Sequence, residues 1–288
     1  MINNITFFDL IFSRFIFLNL YVTWIFRCYR HYRNFIQVIF RVFTNGYPIQ
    51  AILKNGKNVT INERFEVTKD ICGFNVSGDT LEIRNGIKLH GFRNSDVIDV
   101  FCNEVYGMIP VKDKVVIDVG AHICDSSIYF ALRGAKKVYA IEPLLANYEL
   151  AKKNIETNKL EEIIDLKLGA CSNKSGTVTV DGTGTGATIT DDTGIDVPSF
   201  SLKDISNDLD SAILKMDCEC CEYDVILDAD KTTLRKFTEI IIEYHNGYKN
   251  IARKLANNGF KVKNTRPLHK RSWLGETFYL GYVHAVRE

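Results

Sequence analysis

The chain has 288 residues, 46% hydrophobic and 25% charged, an ordinary globular composition that suits one catalytic domain of about 170–200 residues with an N-terminal extension. Its 36 Lys and Arg residues nearly balance its 35 Asp and Glu residues, and a net charge of +1 excludes the overall basic field that would gather nucleic acid. Eight cysteines, several within apolar runs, lack the dense spacing of a small secreted disulfide scaffold, which favours a reducing, cytoplasmic location.

Residues 1–48 form a hydrophobic and basic segment that we expect to be helical. Residues 5–26 are rich in Phe, Ile and Leu, but Arg14 interrupts them, and the apolar runs are shorter than the ~20 residues of a spanning helix. Two interpretations remain open, namely peripheral contact of residues 5–41 with an anionic membrane surface, or helices that pack on the domain or on a partner chain. A membrane span or a signal peptide is disfavoured, because no A-x-A-like cleavage site follows.

Residues 49–93 predict a small antiparallel β unit. The strands Ala51–Leu53 and Val59–Ile61 flank Asn55-Gly56, a turn signal typical of hairpins. We expect further short strands over Phe65–Val67, Phe74–Val76 and Thr80–Ile83. Asn94 and Ser95 can then cap a helix over residues 96–106, which opens the main domain at residues 94–288.

From Val115 onward, short apolar strands alternate with helices. We predict strands over residues 115–119, 137–141, 164–168, 213–216, 239–243, 260–263 and 277–286, and helices over residues 126–132, 147–157, 223–227 and 250–257. This alternation favours an α/β fold with a doubly wound, mostly parallel sheet covered by helices on both faces. The last two strands, joined by a long loop, are expected to pair antiparallel.

The run Val115-Val-Ile-Asp118-Val-Gly120-Ala121-His122 places an acid at the end of a strand and a glycine in the following turn. Gly120 lets a ligand approach the backbone, as in nucleotide sites. A nicotinamide-dependent oxidoreductase is disfavoured, because only one glycine of G-x-G-x-x-G is present and Asp118 would repel a pyrophosphate. The acid suits a positively charged ligand group, such as the amino group of a methionine moiety. For this motif alone, an ordinary tight turn remains the alternative.

Glu142 lies at the end of the next predicted strand and is followed by Pro143. An acid about 20 residues beyond the glycine is placed to bind ribose hydroxyls. Because spacing and strand context agree, the two motifs together favour a nucleoside-containing ligand more strongly than either does alone.

Acids and a histidine follow two later strands. Asp217, Glu219 and Glu222 follow the strand at residues 213–216, and His245 follows the strand at residues 239–243. The carboxyl ends of strands are where open α/β sheets bind ligands. His245 or Glu219 is the candidate base for a hydroxyl, and Asp217 can orient a cofactor or a divalent metal, although no other pattern supports a metal. A hydrogen-bonded core histidine and a helix N-terminal acid at Glu222 are the structural alternatives.

Four motifs, taken in order, resemble the FkbM-type S-adenosylmethionine-dependent methyltransferases: Asp118-Val-Gly-Ala, Ile141-Glu-Pro, Leu214-Lys-Met-Asp-Cys-Glu and Ile242-Glu-Tyr-His. Asn154, Asn158 and Ser172–Gly176 also match, and the resemblance covers roughly residues 96–263. It implies a class I, Rossmann-like methyltransferase fold with S-adenosylmethionine as cofactor. It also implies O-methylation of a hydroxyl on a sugar, glycan or polyketide-like acceptor.

The same resemblance assigns roles to individual positions. Asp118, Gly120 and Glu142 would hold the cofactor, and Asp217 to Glu219 would border the transfer site. We expect the cofactor site to include, in addition, Ala121, His122, Pro143 and Ala170.

Cysteines stand at two positions where the family usually has glycine, Cys124 and Cys220. A side chain at position 124 is expected to fill space beside the cofactor, and so to shift the turn or weaken cofactor binding. The alternative function is therefore a catalytically lapsed methyltransferase fold that serves as a membrane-associated binding or scaffold protein. Cys218-x-x-Cys221 resembles half of a redox or zinc site, but no second pair exists, and we interpret these cysteines as chance neighbours at a crowded turn.

Residues 181–187 are rich in glycine but lack the lysine of a phosphate-binding loop. We expect a mobile hairpin tip there that covers the acceptor. The sequence identifies neither the acceptor nor the oligomeric state.

Overall fold

The computed structural model of the protein describes residues 21–92, 96–183, 186–190, 193–219, 221–265, 267–271 and 277–287. These residues divide into two compact units, one of residues 21–89 and the other from His90 onward. Three predicted features lie outside the described residues, namely the apolar residues 5–20, the Asn94-Ser95 cap and Cys220.

The first unit combines helices with two small antiparallel sheets. Its elements are α1 (helical residues 21–31), α2 (Phe35–Phe43), β1 (Ile49–Ile52), β2 (Asn58–Ile61), α3 (Arg64–Cys72), β3 (Asn75–Ser77), β4 (Thr80–Glu82) and β5 (Lys88–His90). Strands β1 and β2 pair antiparallel across the Asn55-Gly56 turn, which confirms the predicted hairpin. Strands β3, β4 and β5 form the second sheet in that order.

The predicted strand at Phe65–Val67 is wrong, because these residues belong to helix α3. Val67 and Ile71 lie four residues apart and both pack on the core of this unit, which is the spacing of one helix face. Gly73 ends the helix in the left-handed conformation, with φ +72°, as glycine commonly does after a helix. A pattern of three residues is too short to distinguish a strand from one turn of a helix.

Helices α1 and α2 each bury one face in the first unit. Cys28 of α1 and Val38 of α2 are fully buried, and they share a core with Ile49, Ile61 and Val67. Within the described part of the chain, no helix is long and apolar enough to cross a membrane.

The second unit carries the large sheet. Its elements are α4 (Asp96–Phe101), β6 (Val115–Val119), α5 (Asp125–Leu132), β7 (Lys137–Glu142), α6 (Leu145–Thr157), β8 (Ile164–Leu168), β9 (Ala170–Ser172), β10 (Gly176–Thr183), β11 (Gly186–Thr190), β12 (Ile195–Ser201), α7 (Leu202–Ile205), β13 (Ala212–Met216), α8 (Cys221–Asp228), α9 (Lys231–Leu234), β14 (Phe237–Tyr244), α10 (Lys249–Asn257), β15 (Phe260–Asn264), β16 (Leu268–Arg271) and β17 (Thr277–Arg287).

The strand order of this sheet is β15-β17-β14-β13-β6-β7-β8, and β16 pairs with β17 beside it. Strands β8, β7, β6, β13 and β14 run parallel, whereas β17 is antiparallel to both β14 and β15. The doubly wound, mostly parallel sheet with an antiparallel last strand is therefore confirmed. Strand β17 is inserted between β14 and β15, so that β15 forms the edge.

The centre of the sheet is buried on both faces. Every residue of β13 is buried, as are four of the five residues of β6, because helices cover the sheet on both sides. These two strands read as continuous apolar runs with a single charged residue each, Asp118 in β6 and Lys215 in β13. The register places these two residues directly opposite one another.

A separate four-stranded sheet in the order β11-β10-β12-β9 lies within the same unit. Strands β10 and β11 form the predicted hairpin, with Thr183 opposite Gly186 at its tip. The next strand, β12, pairs antiparallel with β10 and parallel with β9.

Candidate active site

A cavity of about 500 Å³ opens at the carboxyl edge of the large sheet. The chain leaves β6 toward β7 on one side and returns through β13 on the other, so the edge between β6 and β13 is the topological switch point of the sheet. Open α/β sheets bind ligands at this point, and the cavity volume lies within the ~300–1,000 Å³ that small-molecule sites occupy.

Gly120 forms the turn after β6 in a backbone conformation that favours glycine, with φ +75°. A Cβ atom on Gly120 would lie 1.7 Å from the carbonyl oxygen of Asp217, so the ends of β6 and β13 approach too closely for any side chain. The amides of Gly120 and Ala121 both donate to the carbonyl of Ile141, each at 3.0 Å. These bonds fix the turn against the end of β7.

Glu142, at the end of β7, lies in the cavity wall and is 4% exposed. One carboxylate oxygen accepts from the amide of His122 at 2.8 Å, and the other accepts from the Leu144 amide and the Asn147 side chain. Burial raises the pKa of Glu142 above its ordinary value, and these hydrogen bonds oppose the rise. A carboxylate has about four acceptor positions, so one remains for a ligand hydroxyl.

Asp118 lies behind the cavity wall and does not line it. One carboxylate oxygen lies 2.9 Å from Lys215 Nζ, and the other accepts the hydroxyls of Ser126 and Ser127, each at 2.6 Å. We expected Asp118 to contact a positively charged group of the ligand. In the structure its carboxylate contacts Lys215 instead, because the paired strands β6 and β13 place these two side chains opposite each other.

Lys215 also connects the acid to the glycine turn. Its Nζ donates to the carbonyl of Gly120 at 2.8 Å, and its side chain is 3% exposed. Burial would lower the pKa of Lys215, but Asp118 and Asp217 raise it above its ordinary value. Lys215 is therefore charged throughout the neutral pH range, and it fixes the turn at Gly120 through the hydrogen bond to the Gly120 carbonyl.

Asp125, the first residue of α5, has a carboxylate oxygen for which the described residues offer no hydrogen-bond partner. The side chain is 4% exposed and lines the cavity, while its other oxygen accepts from the Ser126 amide at 2.8 Å. Burial and the neighbouring Asp96 raise the pKa of Asp125 to about 8. A buried oxygen without a partner is costly, and a cationic ligand group would relieve that cost.

His245, after β14, lies at the centre of an acidic cluster. Its Nδ1 is 3.0 Å from Glu222 Oε1, and its Nε2 is 3.4 Å from Glu219 and 3.7 Å from Asp217. Burial would lower the pKa of His245, but Glu222, Asp217 and Glu219 together raise it to about 10. The ring is therefore protonated at neutral pH, which disfavours His245 as the proton acceptor.

Asp217 and Glu219 are the carboxylates of this cluster that face the cavity. Both line it, and the side chain of each is 31% exposed. Burial raises the pKa of Glu219 above its ordinary value. Glu222, in contrast, is fully buried beneath the histidine and lies outside the cavity wall.

Three further polar groups line the cavity, namely Glu243, Tyr282 and His122. Glu243 accepts a hydrogen bond from the hydroxyl of Tyr282 at 2.8 Å, and both residues line the cavity. Burial and Asp217 raise the pKa of Glu243 to about 8. His122 also lines the cavity, and burial together with the charge of Lys215 lowers its pKa to about 4.

Cys124 is fully buried and does not line the cavity. Its backbone has φ +63°, in the left-handed region that a glycine adopts without strain. The expectation that its side chain fills space beside the ligand is therefore wrong. The side chain at position 124 is instead packed in the interior, and the strained part of the turn is its backbone.

Cys218 and Cys221 form a disulfide at the start of α8, and both line the cavity. The interpretation of these two cysteines as chance neighbours is therefore wrong. Cys28, Cys124 and Cys171 are free and buried. The reducing, cytoplasmic location expected from the cysteine pattern stays a prediction.

The β10–β11 hairpin supplies part of the cavity wall, and its role as a cover for the acceptor stays a prediction. Val180, Gly186, Ala187 and Ile189 all line the cavity. Val180 of β10 packs with Ala170 and Leu144, which places the start of this hairpin near the end of β7.

Most residues predicted from the sequence do meet in one cavity. The wall contains Gly120, His122, Glu142, Pro143, Ala170, Asp217, Glu219 and His245, whereas Asp118 and Ala121 lie outside it. The sequence analysis gave no role to Asp125, Lys215, Glu243 or Tyr282, all of which line the cavity. Lys215 carried a usable signal, since a lysine inside a buried apolar strand requires an anionic partner.

Among the residues that the structure describes, no group of three or more His, Cys, Asp or Glu side chains has an arrangement that could hold a metal ion. Among the acids of the cavity, Asp217 and Glu219 contact His245, Glu243 accepts from Tyr282, and Glu142 accepts from backbone amides.

The family described as the methyltransferase FkbM domain matches residues 118–262 of the chain. No functionally curated protein is significantly similar in sequence. Similar solved structures include TrmK of M. capricolum in complex with S-adenosyl-homocysteine, at 14% identity over 65% of this chain and 67% of that chain, with a TM-score of 0.43. Another is precorrin-6y C5,15-methyltransferase of Geobacter metallireducens GS-15, at 12% identity over 65% of this chain and 87% of that chain, with a TM-score of 0.40. Similarities this distant say nothing about the activity of this chain.

Proposed function

Since the chain belongs to the FkbM methyltransferase family, and is thus an S-adenosylmethionine-dependent methyltransferase of class I fold, we propose that it methylates a hydroxyl group. The acceptor class we propose is a sugar, a glycan or a polyketide-like molecule. The observation that carries the proposal is that a cofactor turn at Gly120 and a carboxylate–histidine cluster at Glu219 face the same cavity.

The residues around the glycine turn fit S-adenosylmethionine. The unpartnered oxygen of Asp125 suits the ammonium group of the methionine moiety, and the remaining acceptor position of Glu142 suits a ribose hydroxyl. When bound, this cofactor supplies an electrophilic methyl group on a positively charged sulfur. Gly120 lets the ligand lie against the backbone, and Lys215 keeps that backbone in place.

The acidic cluster is suited to take the proton of an acceptor hydroxyl. Glu219 is the base in this proposal, because it faces the cavity and burial raises its pKa toward the value of an efficient base at neutral pH. His245, protonated and anchored to Glu222 at 3.0 Å, orients Glu219 and Asp217 and balances their charge. Positioning of the hydroxyl contributes most of the rate, as in other direct displacements.

The other acids of the cavity favour an acceptor with several hydroxyl groups. Asp96, Asp99 and Glu243 line the same cavity as Tyr282. Carboxylates accept hydrogen bonds from hydroxyls, and a tyrosine ring provides an apolar surface for a sugar ring. A polyhydroxylated acceptor would satisfy more of these groups than an apolar one.

The direct test combines cofactor binding with methyl transfer. Calorimetry should detect S-adenosylmethionine binding, and transfer of a radiolabelled methyl group to a panel of glycosides should identify the acceptor class. Replacing Glu219 by Gln should lower kcat by about 10²–10⁴-fold with cofactor affinity nearly unchanged, as expected for loss of a general base. Glu161→Gln, an exposed site away from the cavity, is the matched control.

Two results would contradict the proposal. If calorimetry detects no binding heat at millimolar S-adenosylmethionine, the protein does not use this cofactor. If Glu219→Gln leaves methyl transfer unchanged and the product is methylated at nitrogen or carbon, the acceptor is not a hydroxyl and Glu219 is not the base.

A further inference from the structure

The outer faces of helices α1 and α2 carry large apolar side chains that are exposed. Five lie on α1, at one side of the helix, and three lie on α2 at positions four and three residues apart. They are Tyr21, Val22, Ile25, Phe26 and Tyr29 on α1, and Ile36, Phe40 and Phe43 on α2, each between 37% and 71% exposed. We call these eight residues the apolar stripe.

The stripe is continuous across the two helices. The rings of Tyr21 and Phe43 lie 5.9 Å apart, and Trp24 contacts Phe43 edge-on at 6.1 Å. The opposite faces of the same helices are already occupied, since Cys28 and Val38 are fully buried in the core of this unit. The unit therefore does not need the stripe for its own packing, and soluble monomers rarely expose apolar patches of this extent.

The stripe is bordered by positive charge. Residues 21–62 contain six Lys and Arg residues and no Asp or Glu, although the whole chain carries a net charge of only +1. Arg30, Arg33 and Arg41 are exposed. The guanidinium of Arg30 lies 5.9 Å from the ring of Phe26, and Lys54 Nζ lies 4.8 Å from the ring of Tyr29, so the cations lie directly beside the apolar side chains.

We propose that the apolar stripe docks on the surface of an anionic phospholipid membrane. Its aromatic and aliphatic side chains suit the boundary between headgroups and acyl chains, and the arginines beside them suit anionic headgroups. Val22, Ile25 and Ile36 have no polar atom with which to recognise a nucleic acid or a polar protein surface. This docking is independent of the methyl-transfer proposal, since the stripe belongs to the first unit and the cavity to the second.

Sedimentation of the full-length protein with lipid vesicles tests the proposal. We expect it to bind vesicles that contain about 30% phosphatidylserine at least tenfold more tightly than vesicles of pure phosphatidylcholine, and to lose that difference in 0.5 M salt, which screens the charges. The variant Phe26→Glu/Phe40→Glu should bind at least tenfold more weakly. Its control is Met108→Glu/Ile195→Glu, which adds the same charge at sites that are 66% and 68% exposed but lie outside the stripe, and it should bind like wild type.

The basic border has its own test. Arg30→Gln/Arg41→Gln should weaken binding to phosphatidylserine vesicles roughly tenfold and leave the weak binding to phosphatidylcholine unchanged. Both pairs of residues are exposed, so thermal melts of the variants should match wild type and show that folding is intact.

Four outcomes would overturn the proposal. The first is wild-type protein that stays in the supernatant with anionic vesicles. The second is full vesicle binding by Phe26→Glu/Phe40→Glu, which would place the contact elsewhere, for example in the apolar residues 5–20. The third is a dimer that the same variant dissociates, which would make a second copy the occupant. The fourth is tighter, salt-sensitive binding to an RNA oligomer than to vesicles.

Discussion

Asp118 and Asp125 are both buried beside the glycine turn, but their carboxylates have opposite surroundings. Asp118 is neutralised by Lys215 at 2.9 Å and by two serine hydroxyls, whereas one oxygen of Asp125 has no partner among the described residues. Desolvation favours the protonated form of a carboxyl that has no compensating cation. Asp125, and not the acid that the sequence motif singles out, is therefore the group whose charge depends on the ligand.

Cofactor affinity should consequently depend on Asp125 and on pH. Below pH 8 the carboxyl is protonated, because its pKa is raised to about 8, and binding of an ammonium group must expel that proton. We expect the Kd for S-adenosylmethionine to weaken by up to tenfold per pH unit below 8, and Asp125→Asn to weaken binding at pH 8.5 roughly tenfold and to abolish the dependence. Calorimetry in buffers of different ionisation enthalpy would measure both the affinity and the proton released.

The same variant should have the opposite effect on stability. A carboxyl whose pKa is raised in the folded state destabilises it as pH rises from its ordinary value near 4 to about 8. Asp125→Asn should therefore raise the Tm at pH 8 and leave it nearly unchanged at pH 4. A variant that loses both affinity and stability at pH 8 would show a structural role and refute the assignment.

The protonation of His245 is a second prediction at this scale. Its pKa is raised to about 10, so its ring should stay charged at pH 8, and the stability it contributes should be complete below about pH 6.5 and lost between pH 6.5 and 10. NMR of protein labelled at histidine would report the charge directly. His31, whose pKa is lowered by burial, is the internal control and should be neutral at the same pH. A His245 resonance that titrates below pH 7.5 would contradict the prediction and restore His245 as a base.

Among the elements, β6 and β13 depend on each other. The two strands lie side by side at the switch point, and each contributes one charge to the Asp118–Lys215 pair. Removing one member of a buried pair leaves the other uncompensated, which costs far more than the pair itself contributes. The lysine also holds the carbonyl of Gly120, so the geometry of the cofactor turn rests on the same contact.

Lys215→Met should therefore destabilise the protein by about 3–5 kcal/mol in urea unfolding, and Asp118→Asn in addition should recover part of that loss. The control is Lys137→Met at the start of β7, whose Nζ donates to the backbone carbonyl of Glu162 and forms no ion pair among the described residues, and it should cost about 0.5 kcal/mol. Equal costs for the two lysine variants, or additive costs for Lys215→Met and Asp118→Asn, would show that the pair does not couple the strands.

Features that depend on local sequence could be predicted, whereas features that depend on contacts between residues distant in the chain could not. The strands of the large sheet are local apolar runs, and the rule that parallel strands present ligand groups at their carboxyl ends was enough to bring Gly120, Glu142, Glu219 and His245 together. The sequence did not predict that the Asp118 side chain would lie outside the cavity, because its position depends on Lys215, a residue on a strand distant in the chain. The disulfide of Cys218 and Cys221 also depends on the exact path of the turn after β13.

For the whole molecule, the net charge of +1 conceals two regions of opposite sign. Residues 21–62 carry six basic residues and no acid, whereas seven carboxylates line the described cavity against the cations Lys215 and His245. The first region matches anionic lipid headgroups, and the second matches a positively charged ligand. Neither region is visible in the composition of the complete chain.

The field of the cavity should make the protein prefer a cationic ligand over its neutral counterpart. S-adenosyl-homocysteine lacks the positive charge of the cofactor, whereas sinefungin carries an amine at the corresponding place. Because an unscreened unit charge among several carboxylates gains about 1–2 kcal/mol, sinefungin should bind roughly tenfold more tightly than S-adenosyl-homocysteine at pH 7.5.

The ratio of the two dissociation constants should increase at pH 9, because Asp125 and Glu243, whose pKa values are both raised to about 8, become charged. The ratio should shrink in Asp217→Asn, and competition calorimetry would measure the ratio at both pH values and in the variant. Equal affinities at both pH values would show that the acids of the cavity are neutralised by their own partners and do not act on the ligand.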